Sequence, residues 1–197
     1  TGIEATAEMV LAERPDVVVI ATGAAAHLPA IDGLEAARKS GFALTIDEVM
    51  ARDGAKSPGK SVIIWGAGEG AELAIELKRA GHTVKLLDGK GSYVPANYVG
   101  SRAMVIAGVL AYEAIAIETG QTLTNIGADR ATFMGADGTV QTLEADSLII
   151  CQGRKPVNGL AQELSGKGMI VHTVGDARTP RSYGNAIHEA AYLARQI

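Results

Sequence analysis

The sequence predicts an α/β fold of two layered units, a complete inner one inserted in an outer one that is only partial. Three observations lead there. Two apolar, β-branched runs, 16–23 and 146–151, read as strands buried on both faces of a parallel sheet. Between them, 61–88 runs strand, glycine turn, helix, strand, within the ~30 residues of one βαβ unit. A further strand, 169–174, then leads through Gly175-Asp176 into a closing helix.

Taken in order, 6–14 is a short helix with Thr6 as N-cap, stopped by Pro15. The strand 16–23 follows, then small-residue turns at 24–29 and 31–33. Residues 32–59 are polar and irregular and read as a linker, with one short helix, 45–52, opened by Thr45 with Glu48 three residues on. Strand 61–65, turn 66–70, helix 71–80, the C-cap glycine Gly81 and strand 83–88 form the most regular stretch. A loop, 89–100, carries Tyr93 and Tyr98 and precedes a helix over 101–113. Strands at 115–119 and 131–134 lead to the turn 136–138, and 139–143 returns as a hairpin partner. The last helix, 183–197, gathers Ile187, Ala190, Ala191 and Ala194 on one face.

Composition excludes several classes. The net charge of −4 offers no electrostatic footprint for nucleic acid. No apolar run approaches the ~20 residues of a membrane span and no signal peptide opens the chain, so the cytoplasm is the expected compartment. One cysteine, Cys151, allows neither an intrachain disulfide nor a cysteine-based cluster, and at the end of an apolar strand it reads as a buried small hydrophobe. His27, His82 and His172 have no clustered partners, so a metal site is not expected; His188, in the last helix, suits a surface or capping role better than contact with a cofactor. Arg102 reads as a phosphate contact or, more in keeping with its place, as a surface charge at a helix start. The opening at Thr1 suits a processed chain or a piece of a longer one.

The motif richest in chemistry is Gly66-Ala67-Gly68-Glu69-Gly70-Ala71, between strand and helix. It matches the dinucleotide fingerprint G-x-G-x-x-G/A, with Ala71 in the last small-residue slot. Gly66 suits the tight turn, Gly68 lets a pyrophosphate lie against backbone, and the helix N-terminus supplies amides and positive dipole. Asp88 ends the second strand near the spacing at which an acidic residue accepts the ribose hydroxyls, which favours NAD; it also suits a simple strand-end turn. Lys90 pulls the other way, as a cation able to accommodate a 2′-phosphate. Tyr93 and Tyr98 are placed either to stack on the base or to pack the loop.

Two further strand ends, Ala21-Thr22-Gly23 and Gly175-Asp176-Ala177, flank this unit, with Gly153-Arg154-Lys155-Pro156 between it and the second of them. In that order the motifs resemble the flavoproteins with two dinucleotide-binding domains. The segments 8–16, 175–181 and 186–189 narrow the resemblance to the C-terminal part of old-yellow-enzyme-related flavoproteins, the 2,4-dienoyl-CoA reductase and trimethylamine dehydrogenase group. The resemblance implies a Rossmann-like three-layer NAD(P)-binding domain, 60–151, inserted in a partial FAD-binding domain, 1–31 and 152–197. It implies that Asp176 faces the ribityl and pyrophosphate region of FAD, that Thr22-Gly23 carries the chain out of the flavin domain, and that Gly153-Arg154 brings it back. Arg178 and Arg181 are then candidates for phosphate or a partner domain.

The implied activity passes electrons from NADH to FAD and on to FMN and a 4Fe-4S centre outside this chain, on an N-terminal TIM barrel or a separate subunit. No residue stands out as an acid, base or nucleophile, which agrees with cofactors carrying the chemistry. The alternative is a nucleotide-binding scaffold that holds ADP in an amine-dehydrogenase-like protein. Exposed strand faces make an oligomer or a bound partner polypeptide the expected state.

Overall fold

The computed structural model describes residues 2–51, 55–91 and 100–197. It divides into two compact units, 1–25 with 154–197, and 26–153. The second is built on a five-stranded parallel sheet in the order β3-β10-β4-β5-β6. These strands are β3 (Ala43–Thr45), β4 (Ser61–Trp65), β5 (Thr83–Leu87), β6 (Ile117–Glu118) and β10 (Ser147–Ile150).

Alternation along β4 sorts side chains onto two faces, because successive residues of a strand point oppositely. Val62 and Ile64 join Leu86 and Ile149 beneath the helices α4 (Ala67–Arg79) and α5 (Gly100–Tyr112). Ile63 and Trp65 join Leu87, Leu148 and Ile150 on the other face. That face is covered by α2 (Leu34–Ser40) and by an antiparallel sheet of β7 (Thr122–Ile126), β8 (Arg130–Met134) and β9 (Val140–Glu144). The unit is therefore three layers deep, with helices on one side and mainly an antiparallel sheet on the other. β10 is buried along its whole length, as its continuous apolar run requires.

The segment 32–59, expected as a linker, is an integral part of this unit. α2 lies in it, β3 adds the outermost strand beside β10, and α3 (Ile46–Val49) follows directly. The polar composition misleads because a single ion-pair cluster ties the segment down. Arg38 Nη2 donates to Glu48 Oε1 at 3.1 Å, Arg38 Nη1 pairs with Oε2, and Lys56 Nζ reaches Oε1 at 2.6 Å. Thr45 and Glu48 make the reciprocal capping box that the sequence indicates. The compact units divide at 25/26 and 153/154, where the sequence suggests 1–31, a linker 32–59, 60–151 and 152–197.

The first unit pairs β1 (Val17–Ile20) with β12 (Ile170–Thr173) in parallel, in the register Val19 to His172. Its core is small: Ile20, Leu164 and Ala177, with α1 (Ala7–Glu13) and α6 (Gly159–Leu164) contributing partly buried residues. Thr6 caps α1 by accepting from the Met9 amide at 3.3 Å. β1 was expected to be buried on both faces, yet Val19 is 43% exposed. Its sole strand neighbour among the described residues is β12, so one edge has no sheet to enter. The unit ends in α7 (Tyr183–Leu193), capped by Ser182 and Asn185. β2 (Ala24–Ala26) pairs with β11 (Arg154–Pro156) in a two-stranded ribbon.

Candidate functional site

In the unit 26–153, the parallel strands end at the glycine turn. Gly66 holds φ at 112°, and a Cβ there would strike the carbonyl of Cys151, so only glycine fits. Its amide donates to Leu87 O at 2.7 Å, and the Cys151 amide donates to Trp65 O at 2.8 Å, which welds three strand ends together. Gly68 is exposed, and a Cβ there would meet open space. Gly70 is buried, and a Cβ would lie 2.8 Å from Ile64 Cγ2. Close helix-on-strand packing therefore falls chiefly on Gly70, although Ala71, in the last small-residue slot of the motif, is itself fully buried. Glu69 is half-buried in the first turn of α4. The helix begins within the glycine motif, earlier than its sequence pattern suggests.

Asp88 directly follows β5 and is 8% exposed. Its Oδ2 accepts from the Ala67 amide at 2.6 Å and its Oδ1 from the Lys90 amide at 2.8 Å. The carboxylate thus ties the glycine turn to the loop after β5, and each oxygen keeps a second lone pair for a ligand hydroxyl. Gly153, at φ 83°, closes the far end of the unit and accepts from the His27 amide at 2.8 Å. Tyr93 and Tyr98 lie outside the described residues. Arg102 pairs with Glu72 at 2.5 Å on the surface, and Cys151 is buried.

In the other unit, Thr22 donates its hydroxyl to Val157 O, and Val157 returns a backbone bond to Gly23 O at 2.9 Å. Arg154 is half-buried in β11. The Gly175–Ala177 turn follows β12, with Gly175 at φ 62° and Ala186 of α7 so near that a Cβ on Gly175 would lie 3.0 Å from Ala186 Cβ. Asp176 is half-buried; its Oδ1 accepts from the Arg181 amide at 3.0 Å, and among the described residues its Oδ2 has no partner. Ala177 is fully buried and anchors the turn.

Glu189, on α7, entered the sequence reading only as part of the segment 186–189 and was given no role of its own. Its Oε2 accepts from the Gly175 amide at 2.9 Å, while Oε1 pairs with Arg181 and lies 3.6 Å from Arg178 Nη1. The Gly175 amide, aided by Arg181 and Arg178, holds its carboxyl below the ordinary carboxylate range. The signal was a carboxylate three residues beyond Ala186, on the same helix face, with two arginines shortly upstream. His188 is exposed, and no group of three or more potential metal ligands occurs among the described residues.

The residues present suit a dinucleotide in one unit and a flavin ribityl chain in the other. Open space stands beside Gly68 where backbone must approach a pyrophosphate, and one Asp176 oxygen remains for a hydroxyl. A parallel sheet with glycine turns at its strand ends defines the class, an α/β dinucleotide-binding oxidoreductase fold. The chain belongs to the pyridine nucleotide-disulphide oxidoreductase family, whose model matches residues 6–177. Members of that family are flavoproteins that use FAD and NAD(P)H.

It is similar to bilirubin reductase of Mediterraneibacter gnavus, 30% identical over 196 residues, covering 100% of this chain and 30% of the relative. It is also similar to NADH oxidase of Thermoanaerobacter brockii, 27% identical over 199 residues, with the same coverage of 100% and 30%. Among solved structures, 2-naphthoyl-CoA reductase superposes with a TM-score of 0.82 at 26% identity, over 94% of this chain and 27% of that one. Histamine dehydrogenase from Rhizobium sp. 4-9 gives 0.80 over 99% and 31%, at 22% identity, a likeness of fold alone. The chain thus spans about 30% of the length of these two relatives. Among the described residues no helix is long and apolar enough to cross a membrane.

Proposed function

We propose that this chain is the nucleotide-handling part of a flavin-dependent NAD(P)H oxidoreductase of the old-yellow-enzyme-related group. It would carry electrons from NADH to FAD and onward to FMN and iron–sulfur centres outside it. The observation that carries the reading is the presence, in one chain, of two glycine turns at parallel-strand ends, each furnished with its own carboxylate, Asp88 and Asp176. Similarity along the whole chain to a bilirubin reductase and an NADH oxidase supports it.

In this reading 26–153 is the nicotinamide-nucleotide domain and 1–25 with 154–197 is part of the flavin domain. Gly68 presents backbone to the pyrophosphate, the first turn of α4 supplies positive dipole, and Asp88 accepts from the ribose. Asp176 accepts from the ribityl chain, and Thr22, Gly23, Gly153 and Arg154 hold the two passages of backbone between domains. When bound, the nicotinamide supplies a hydride and the flavin takes up its electron pair. The partner is then a polypeptide carrying a TIM barrel, in the cytoplasm, and the substrate an enoyl-CoA or similar unsaturated carbonyl compound.

A nucleotide-holding scaffold is the second reading, favoured by the double engagement of Asp88 by backbone amides. Anaerobic mixing of the full-length natural protein with NADH distinguishes the two. Bleaching of the flavin absorbance supports electron transfer; tightly held ADP with no bleaching supports the scaffold.

A further inference from the structure

Asp176 has a problem that its surroundings solve. Arg178 and Arg181 follow it by two and five residues, and the Arg181 amide is already bonded to Asp176 Oδ1 at 3.0 Å. Guanidinium groups tethered this close are able to pair with a neighbouring carboxylate, frequently in bidentate fashion. Both are instead taken by Glu189: Arg181 pairs with its Oε1, and Arg178 Nη1 stands 3.6 Å from the same oxygen. The second Glu189 oxygen meets the Gly175 amide at 2.9 Å, which fixes the first residue of the turn. The Glu189 side chain is 19% exposed, less than Arg178 at 65% or Arg181 at 40%, so the carboxylate is the fixed partner and the arginines come to it.

We propose that Glu189 is a positioning residue that sequesters Arg178 and Arg181 and pins the Gly175 amide, so that Asp176 keeps one oxygen for a ligand hydroxyl. This rests on Gly175-Asp176 as the flavin turn. Two actions of one side chain are separable. Glutamine at 189 still offers an amide oxygen to the Gly175 N–H, so the turn stays braced while the negative charge is lost. The released arginines then turn to Asp176. Removing them should restore what Glu189→Gln takes away, an outcome that a merely structural role for Glu189 does not give.

The test uses the full-length natural protein, stripped of flavin and titrated with FAD by fluorescence quenching, with melting of the apoprotein as a second readout. Glu189→Gln is expected to weaken FAD binding about tenfold, the scale of one lost charge-assisted hydrogen bond. Adding Arg178→Ala and Arg181→Ala to that variant is expected to bring the dissociation constant back to within about threefold of wild type, with little change in apoprotein melting. Wild-type affinity in Glu189→Gln, or further loss in the triple variant, overturns the proposal. Should Glu189→Gln fail to fold, the Arg178→Ala/Arg181→Ala variant with Glu189 intact decides. It is expected to bind FAD within about threefold of wild type, whereas about tenfold weakening makes the arginines themselves ligand contacts. Asp176→Ala separates the two layers of argument. If it binds FAD like wild type, the flavin reading falls and this inference with it; if it weakens binding while Glu189→Gln does not, only this inference falls.

Discussion

Gly66 and Gly68 stand two residues apart in one turn yet answer to different demands. Gly66 is held by its own fold, through a φ of 112° and the Cys151 carbonyl that any Cβ would strike. Gly68 faces open space, so nothing in the chain itself requires glycine there. Gly66→Ala is therefore expected to destabilise the protein by about 1–3 kcal/mol. Gly68→Ala, inside the first turn of α4, should keep or slightly raise stability, because alanine is the better helix former. It should nonetheless weaken NADH binding about tenfold or more, since the added methyl stands where a pyrophosphate would lie. Paired melting curves and NADH titrations check both; equal NADH affinity in Gly68→Ala and wild type would count against the site.

Asp88 serves the turn and, in the proposed reading, the ribose. Asp88→Ala should cost about 1–2 kcal/mol from the unpartnered Ala67 and Lys90 amides. It should also shrink a preference for NADH over NADPH of about tenfold in the wild type. Dissociation constants for both cofactors settle it: an unchanged ratio assigns Asp88 to the turn alone.

At the scale of elements, α3 and its neighbours hang on Glu48. The Arg38 guanidinium bonded to its carboxylate, opposed by partial burial and reinforced by Lys56 and the Thr45 amide, holds Glu48 far below the usual carboxylate range. A folded pKa below the unfolded value of about 4.3 stabilises above that value and is lost as pH falls beneath it. Urea midpoints should accordingly drop further between about pH 7 and about pH 3 in the wild type than in Glu48→Gln. An identical drop in both removes Glu48 from the acid response.

Elements whose cause is local were readable in the sequence. Thr6 before α1, Thr45 with Glu48, and the apolar run of β10 each declare themselves within a few residues. β3 was missed because a distant partner makes it a strand. β3 follows a glycine-capped helix and lies in sheet only because β10, about a hundred residues later, pairs with it. The reciprocal failure is Glu189, whose meaning depends on a turn fourteen residues earlier in the chain.

The whole molecule divides its cohesion unequally. The unit 26–153 has apolar clusters on both faces of a five-stranded sheet, whereas among the described residues the buried cluster of the other unit is centred on Ile20, Leu164 and Ala177. Thermal unfolding of this chain should therefore show two transitions, the lower one from 1–25 with 154–197. NADH in excess should raise the upper transition and leave the lower in place, because a ligand stabilises the unit that binds it. A single transition that NADH shifts as a whole would show the units to be one cooperative block. The order of the two units was legible from the glycine motifs, but the unequal cores were not, since they depend on what packs above each strand.

The pairing of β1 with β12 sets a timetable for synthesis. Val19 leaves the ribosome about 150 residues before His172, the residue it will lie beside. At roughly 5–20 residues per second that interval is roughly 8–30 s, during which the inner unit is fully translated and the β1 run lacks its β12 partner. A nascent chain halted after residue 153 has cleared the exit tunnel but before β12 has would thus display a folded 26–153 unit together with an unpaired apolar tetrapeptide. Crosslinking of a chaperone to Val17–Ile20 in stalled chains should vanish once β12 has emerged from the ribosome.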